Sequence, residues 1–229
     1  MSTYIKVARY HMVTRLLYVA LPWAVLAFSF LVNVAIRVMV GTGPGVSYTG
    51  GLAAFYIEVL VCGVLSVAKF LPFGLSLGVS RRSFYLGTGL LAVALGMVYG
   101  LGLAMLQVVE RATGGWGVNM GFFRVPYFLD GPWYVTWLTS FVVLTLMFVY
   151  GMWYGLVFRR WNLVGLLSFE AAQVTVLLAG SLVATEAQAW GSIGNFFTTL
   201  SAPGLTGVLA VLTAALLVGG LSTMRRVTV

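Results

Sequence analysis

The sequence predicts an all-α membrane protein of about six transmembrane helices, with both ends in the cytoplasm. Three observations carry that expectation. Only 8% of the 229 residues are charged while 61% are hydrophobic, against about 25% charged in an average soluble domain. Charge-free intervals recur at 16–36, 83–109, 131–158 and 187–224, and roughly 20 predominantly apolar residues suffice to cross a bilayer. Lysine and arginine also segregate by loop, and that bias sets orientation in a membrane.

The first span is placed at 16–40. It holds a charge-free run of 21 residues, longer than the roughly 7–15 apolar residues of a cleaved signal, so it reads as a retained helix. Ahead of it, Tyr4, Ala8 and Met12 recur every three to four residues while Lys6 and Arg9 fall elsewhere. An interfacial helix over 1–15 on the inner leaflet fits this pattern, as does a cytoplasmic extension of the first span. The next four spans are expected at 51–72, 84–108, 134–158 and 163–185. The last charge-free interval is 38 residues long and is broken by Pro203-Gly204, which leaves 204–223 as the sixth span. Residues 187–203 are uncharged and aromatic but too polar and interrupted to span. They read as an outer re-entrant segment, which requires protein or water to satisfy its backbone. The other outer stretch, 109–133, is long, aromatic and broken by Gly and Pro.

With the N-terminus inside, the cytoplasmic side carries Lys6, Arg9, Arg15, Lys69, Arg81, Arg82, Arg159, Arg160, Arg225 and Arg226. The outer side carries only Arg37, Arg111 and Arg124, with the acids Glu110, Asp130 and Glu186. Ten against three decides for N-in, C-in under the positive-inside rule. Trp116, Trp133, Tyr134, Trp137 and Trp190 then mark the outer headgroup layer, and Trp153, Tyr154 and Trp161 the inner one. Gly96–Gly100 and Gly151–Gly155 are small-xxx-small pairs that would permit close helix approach. Chance among 28 glycines explains them equally well.

The net charge of +8 belongs with the cytoplasmic loops. No basic stripe with interleaved aromatics suggests nucleic acid. Cys62 is the only cysteine, so no intrachain disulfide or cysteine metal cluster forms; it reads as a small buried hydrophobe. His11 is the only histidine and precedes the first span. That excludes bis-histidine haem ligation, a paired-histidine zinc protease and a serine–histidine pair at membrane depth. The chain has no phosphate-binding loop: Gly41 to Gly45 is glycine-rich but lacks the following lysine and reads as an outer turn. No cofactor is expected on this chain. Two acids remain within spans, Glu58 and Glu170, each about 10 Å from a membrane face at 1.5 Å per residue. Intramembrane carboxylates suggest substrate contacts or proton sites. The structural alternative pairs Glu58 with Arg37, and Glu170 with Arg159 or Arg160, or leaves Glu170 protonated.

The loop between the second and third spans reads Leu71-Pro-Phe-Gly-Leu-Ser-Leu-Gly-Val-Ser-Arg-Arg-Ser-Phe-Tyr-Leu-Gly-Thr88. Pro72 and Gly74 end one helix, Ser80 can cap a new short one, and Arg81-Arg82 fix it at the cytoplasmic surface. This loop, taken as 74–83, resembles the coupling-helix loop in permease subunits of the type-two ABC exporter family, closest to short permeases of actinobacteria and related Gram-positive bacteria. The likeness covers the whole layout, including the interfacial helix and the outer re-entrant segment. It implies a bacterial plasma-membrane subunit in which Gly78, Val79, Ser80, Arg81, Arg82, Ser83, Phe84 and Tyr85 insert into a separate ATP-binding-cassette ATPase. Lys6 and Arg9 would brace that same partner, and ATP and Mg would reside on it. The resemblance further implies a second permease copy, identical or related, joined through the first and fifth spans. The cargo would be a lipid, glycan, peptide or drug. The outer stretch 109–133 is longer than the family pattern and suggests a lid or specialised exit. The alternative is an ion-coupled transporter or channel using Glu58 and Glu170, although the two halves of the chain show no internal repeat.

Overall fold

The computed structural model describes residues 16–41 and 45–224. The interfacial stretch with Lys6, Arg9 and His11, along with Arg225 and Arg226, lies outside the described residues. Helix α1 (Leu16–Val40) begins with a wide π turn over Leu16–Ala20. A two-residue strand β1 (Ser47–Tyr48) follows, then α2 (Ala53–Ala68), α3 (Phe70–Ser76) and α4 (Arg81–Ala112). A π turn at Gly115–Asn119 leads into β2 (Met120–Gly121), and the chain closes with α5 (Trp133–Glu186), α6 (Trp190–Thr199) and α7 (Ala202–Met224). Five segments among the described residues are long and apolar enough to cross a membrane: α1, α2 with α3, α4, α5 and α7. The chain is therefore an all-α protein with the make-up of a multi-pass membrane protein.

The fourth of these segments, α5, is 54 residues long and is not one straight rod. Asn162 has φ 52° and ψ −151°, outside the helical region, and asparagine tolerates positive φ better than most residues. The chain doubles back there. Tyr150 donates to Gln173 Oε1, and Gln173 Nε2 donates to the Tyr154 hydroxyl at 3.2 Å. The Phe169 and Tyr154 rings meet edge-on at 5.3 Å. The two arms of α5, 133–161 and 163–186, thus run side by side.

The first arm of α5 is the centre of the bundle, packed by α2, α4 and α7. Its approach to α2 is set by glycine. A Cβ on Gly151 would overlap the Leu60 carbonyl oxygen and sit 3.0 Å from Val64 N, and one on Gly63 would overlap the Phe148 carbonyl. Backbones this close forgo side chains in exchange for dispersion contacts. Gly100 of α4 approaches Phe141 N of α5 in the same way, at 2.8 Å for a built Cβ. The two glycine pairs seen in the sequence therefore mark helix contacts. Threonines provide cross-links: Thr139 of α5 and Thr206 of α7 share a hydrogen bond of 2.8 Å. Towards α1 the core is aromatic, with Tyr18 bonded to Ser66 at 2.8 Å and Trp23 edge-on to Tyr99 at 5.8 Å.

Burial is uneven. No residue of α5 beyond Val157 is buried, and α1 buries only Tyr18, Pro22 and Leu26. Phe28, Leu31 and Met39 of α1 and Val176, Leu177 and Val183 of α5 are all exposed. These are surfaces for lipid or for another polypeptide.

Candidate functional site

Three places hold the residues to which the sequence points. The first is the turn from α3 into α4. Gly78 takes φ 79°, a conformation costly for any side chain, and its amide donates to Leu75 O at 3.0 Å. Ser80 is extended and accepts from Ser83 N at 3.1 Å through its hydroxyl, a regular N-cap. The helix so capped is the 32-residue α4 itself, whereas the short helix of this region, Phe70–Ser76, precedes the cap. The residues proposed from resemblance divide by burial. Gly78, Ser80 and Arg82 are exposed, as is Leu77 just before them, and Val79, Arg81 and Ser83 are half-exposed. Phe84 and Tyr85 are each 1% exposed: Phe84 closes on Gly74, and Tyr85 lies against Gly220 of α7. The exposed surface of this turn therefore ends at Ser83.

The second place is the pair of acids, Glu58 and Glu170, that the sequence puts within expected spans. Glu58 is half-buried on α2, with Oε1 3.9 Å from Cys62 Sγ. Arg37 does not reach it: its guanidinium donates to Val118 O at 3.1 Å and Gly41 O at 3.2 Å. Glu170 is exposed on the second arm of α5, beside the Tyr154 hydroxyl. Among the described residues the salt bridges are Arg111–Asp130 and Arg124–Asp130, so neither Arg159 nor Arg160 pairs with Glu170. Glu58 and Glu170 lie on different helices with no contact between them, and among the described residues no three His, Cys, Asp or Glu side chains converge on one point.

The third place, the stretch 109–133, is a folded cap. Its keystone is Glu110, which is only 1% exposed at the end of α4. A carboxylate at a helix C-terminus opposes the helix dipole, so it needs donors, and the loop supplies four. Glu110 Oε2 accepts from Trp116 Nε1 at 3.0 Å and from the amides of Phe122 and Phe123 at 2.9 Å each. Oε1 accepts from the Arg124 amide at 3.1 Å. Those bonds turn the loop back over α1, where Phe30 meets Trp116 and Phe122 edge-on at 4.9 and 5.3 Å. Strand β2 then pairs in parallel with β1, Ser47 opposite Met120 and Tyr48 opposite Gly121. Gln107 Nε2 holds Leu129 O at 2.6 Å. Asp130 receives Arg111 and Arg124 at 2.9 Å each. The Arg124 hydrogen bond, reinforced by both guanidinium charges, keeps the Asp130 carboxyl below its usual range.

The cap reaches the far side of the bundle through Tyr127. Tyr127, at φ 71°, lays its hydroxyl against the carbonyls of Phe197 and Leu200, at the end of α6. Tyr127→Phe is expected to accelerate amide exchange across 190–200 about fivefold, the worth of one net hydrogen bond. The bundle's melting point should stay unchanged. Exchange mass spectrometry checks this, and an unaltered α6 would show that the contact contributes nothing.

Comparison with family models, with characterised proteins and with solved structures finds no match to this chain.

The sequence pointed to 109–133 as a lid without naming the residues that build it. Glu110, Gln107 and Tyr127 act through backbone partners 12–73 residues away. The one local signal was an acid in the last turn of a helix just before Thr113-Gly114-Gly115.

Proposed function

We propose that this chain is the membrane-embedded permease subunit of an ATP-driven exporter, moving a hydrophobic or amphipathic cargo with energy from a separate ATPase. In this reading the chain crosses the membrane six times, because the two arms of α5 count as separate spans joined by a cytoplasmic turn at Asn162. Both ends are cytoplasmic, and α6 is the outer re-entrant piece. The observation that carries the reading is the α3–α4 turn. It is a Gly78 reversal and a Ser80 cap presenting Leu77 to Ser83, with two arginines, at the foot of a helix 32 residues long. A push on that turn is transmitted along α4 to Glu110 and the cap. Two copies would cover the exposed faces of α1 and of the second arm of α5. Lys6 and Arg9 would brace the ATPase.

Arg81→Glu with Arg82→Glu should abolish co-purification of an ATPase encoded beside this gene, while the permease still elutes as a single species. Retained ATPase binding and retained ATP-dependent export would reject the reading. A second reading, ion-coupled transport, draws on the lack of an ion pair at Glu58 and Glu170 among the described residues. It takes over if transport survives the Arg81 and Arg82 changes but is lost in Glu58→Gln or Glu170→Gln.

A further inference from the structure

The elbow of α5 carries two positive charges that no salt bridge among the described residues neutralises. Arg159 and Arg160 immediately precede the reversal at Asn162, and the salt bridges among the described residues all lie at Asp130. Glu170, the acid nearest in sequence on the returning arm, is eight residues past the turn, about 12 Å along the helix, and sits beside Tyr154. Arg159 Nε is shielded from solvent and has no acceptor, and an unmatched shielded donor is costly. Arg160 places its guanidinium 4.5 Å over the Trp161 ring, an arrangement that uses the cation's flat face and leaves its in-plane N–H donors for other acceptors.

Beside these charges is a cleft of about 470 Å³, lined by Val157, Trp161, Val164, Gly165, Ser168 and Phe169. Its wall is mostly apolar with Ser168 in the lining, and Val164 is 75% exposed. Gly165 lies directly against Trp161 Cβ, where no side chain fits. Two arginines adjacent in the chain, an indole and a mostly apolar cleft next to them in sequence form a complementary set for one kind of molecule.

We propose that the α5 elbow is a binding site for an anionic phospholipid of the inner leaflet. Arg159 and Arg160 hold the phosphate, and the cleft receives the upper part of an acyl chain. The leaflet assignment rests on the topology given under Proposed function; the lipid chemistry does not.

The test uses the full chain, purified and presented with phosphatidylglycerol and phosphatidylcholine of identical chains, with retention read by native mass spectrometry. Wild-type protein should retain phosphatidylglycerol about thirtyfold better, the combined worth of two basic residues at an anionic surface. Arg159→Gln with Arg160→Gln should bring the ratio to about one without changing elution or melting, and Arg160→Gln alone should lower it in part. Ser168→Trp, which fills the cleft and keeps both charges, should weaken retention of both lipids. Equal retention by wild type overturns the proposal, as does an undiminished preference in the double glutamine variant. Wild-type retention by Ser168→Trp overturns the acyl slot. Leu163→Cys, made in a Cys62→Ser background, is exposed to an impermeant maleimide in right-side-out vesicles. Labelling from outside sinks the topology while the lipid ratio still stands. A co-purified ATPase that shields Leu163→Cys, together with equal lipid retention, would assign the elbow to a protein partner instead.

Discussion

Gly151→Leu is expected to prevent assembly of the bundle, giving aggregated protein in place of a single detergent-solubilised species. The reason is what the new side chain would meet. At most core positions an added methylene pushes on a neighbouring side chain, which yields at a cost of about 1–3 kcal/mol. At Gly151 the neighbours are the Leu60 carbonyl and the Val64 amide, both backbone. The helix α2 must then move as a whole, and with it the reciprocal contact of Gly63 against Phe148. Gly180→Leu is the matched control: it lies in the same α5, in the second arm, with open space around it, and should be tolerated. Size-exclusion profiles of the two variants, side by side, decide the matter. Equal behaviour would mean that α2 and α5 do not cross at these glycines.

Glu110→Ala should unfold the outer cap while leaving the helices intact. The substitution removes one carboxylate and strands three buried or part-buried backbone donors, those of Phe122, Phe123 and Arg124, together with the Trp116 indole N–H. At about 1–3 kcal/mol for each stranded donor the loss is on the order of 5 kcal/mol, enough to loosen a loop otherwise held by Met120, Phe122, Phe123 and Leu129 in the common core. Glu110→Gln should fall between, because the amide keeps one acceptor oxygen but turns a donor toward the loop amides. Limited proteolysis between 113 and 131 reads the outcome. A cap equally resistant in wild type and Glu110→Ala would place its stability in the Phe30 aromatic cluster instead.

How much of this was visible in the chain follows from the range of each interaction. The helices follow hydrophobic run length, a property of about twenty adjacent residues, so 16–40 and 204–223 lie close to α1 and α7. The reversal between 158 and 163 was marked by Arg159-Arg160, which do not belong in hydrocarbon, even though Asn162 itself carried no signal. The ends were harder. Helix α4 extends from Arg81 to Ala112, beyond the expected 84–108 at both ends, because Ser80 caps it at its start and the loop that follows satisfies Glu110. Phe84 and Tyr85 were grouped with the partner-facing residues by motif, and motif is blind to helix rotation: only the packing against Gly74 and Gly220 turns them inward. The cap was legible as an unusual segment and illegible as a structure, since side-chain-to-backbone bonds leave no periodic trace.

The cap gathers three helix ends into one body. Arg37 and Phe30 fasten α1, through Val118 and the Trp116 and Phe122 rings, Glu110 fastens α4 with four bonds, and Tyr127 reaches α6. Mechanically, α1 and α4 are clamped to one loop, so a displacement of either drags the other with it.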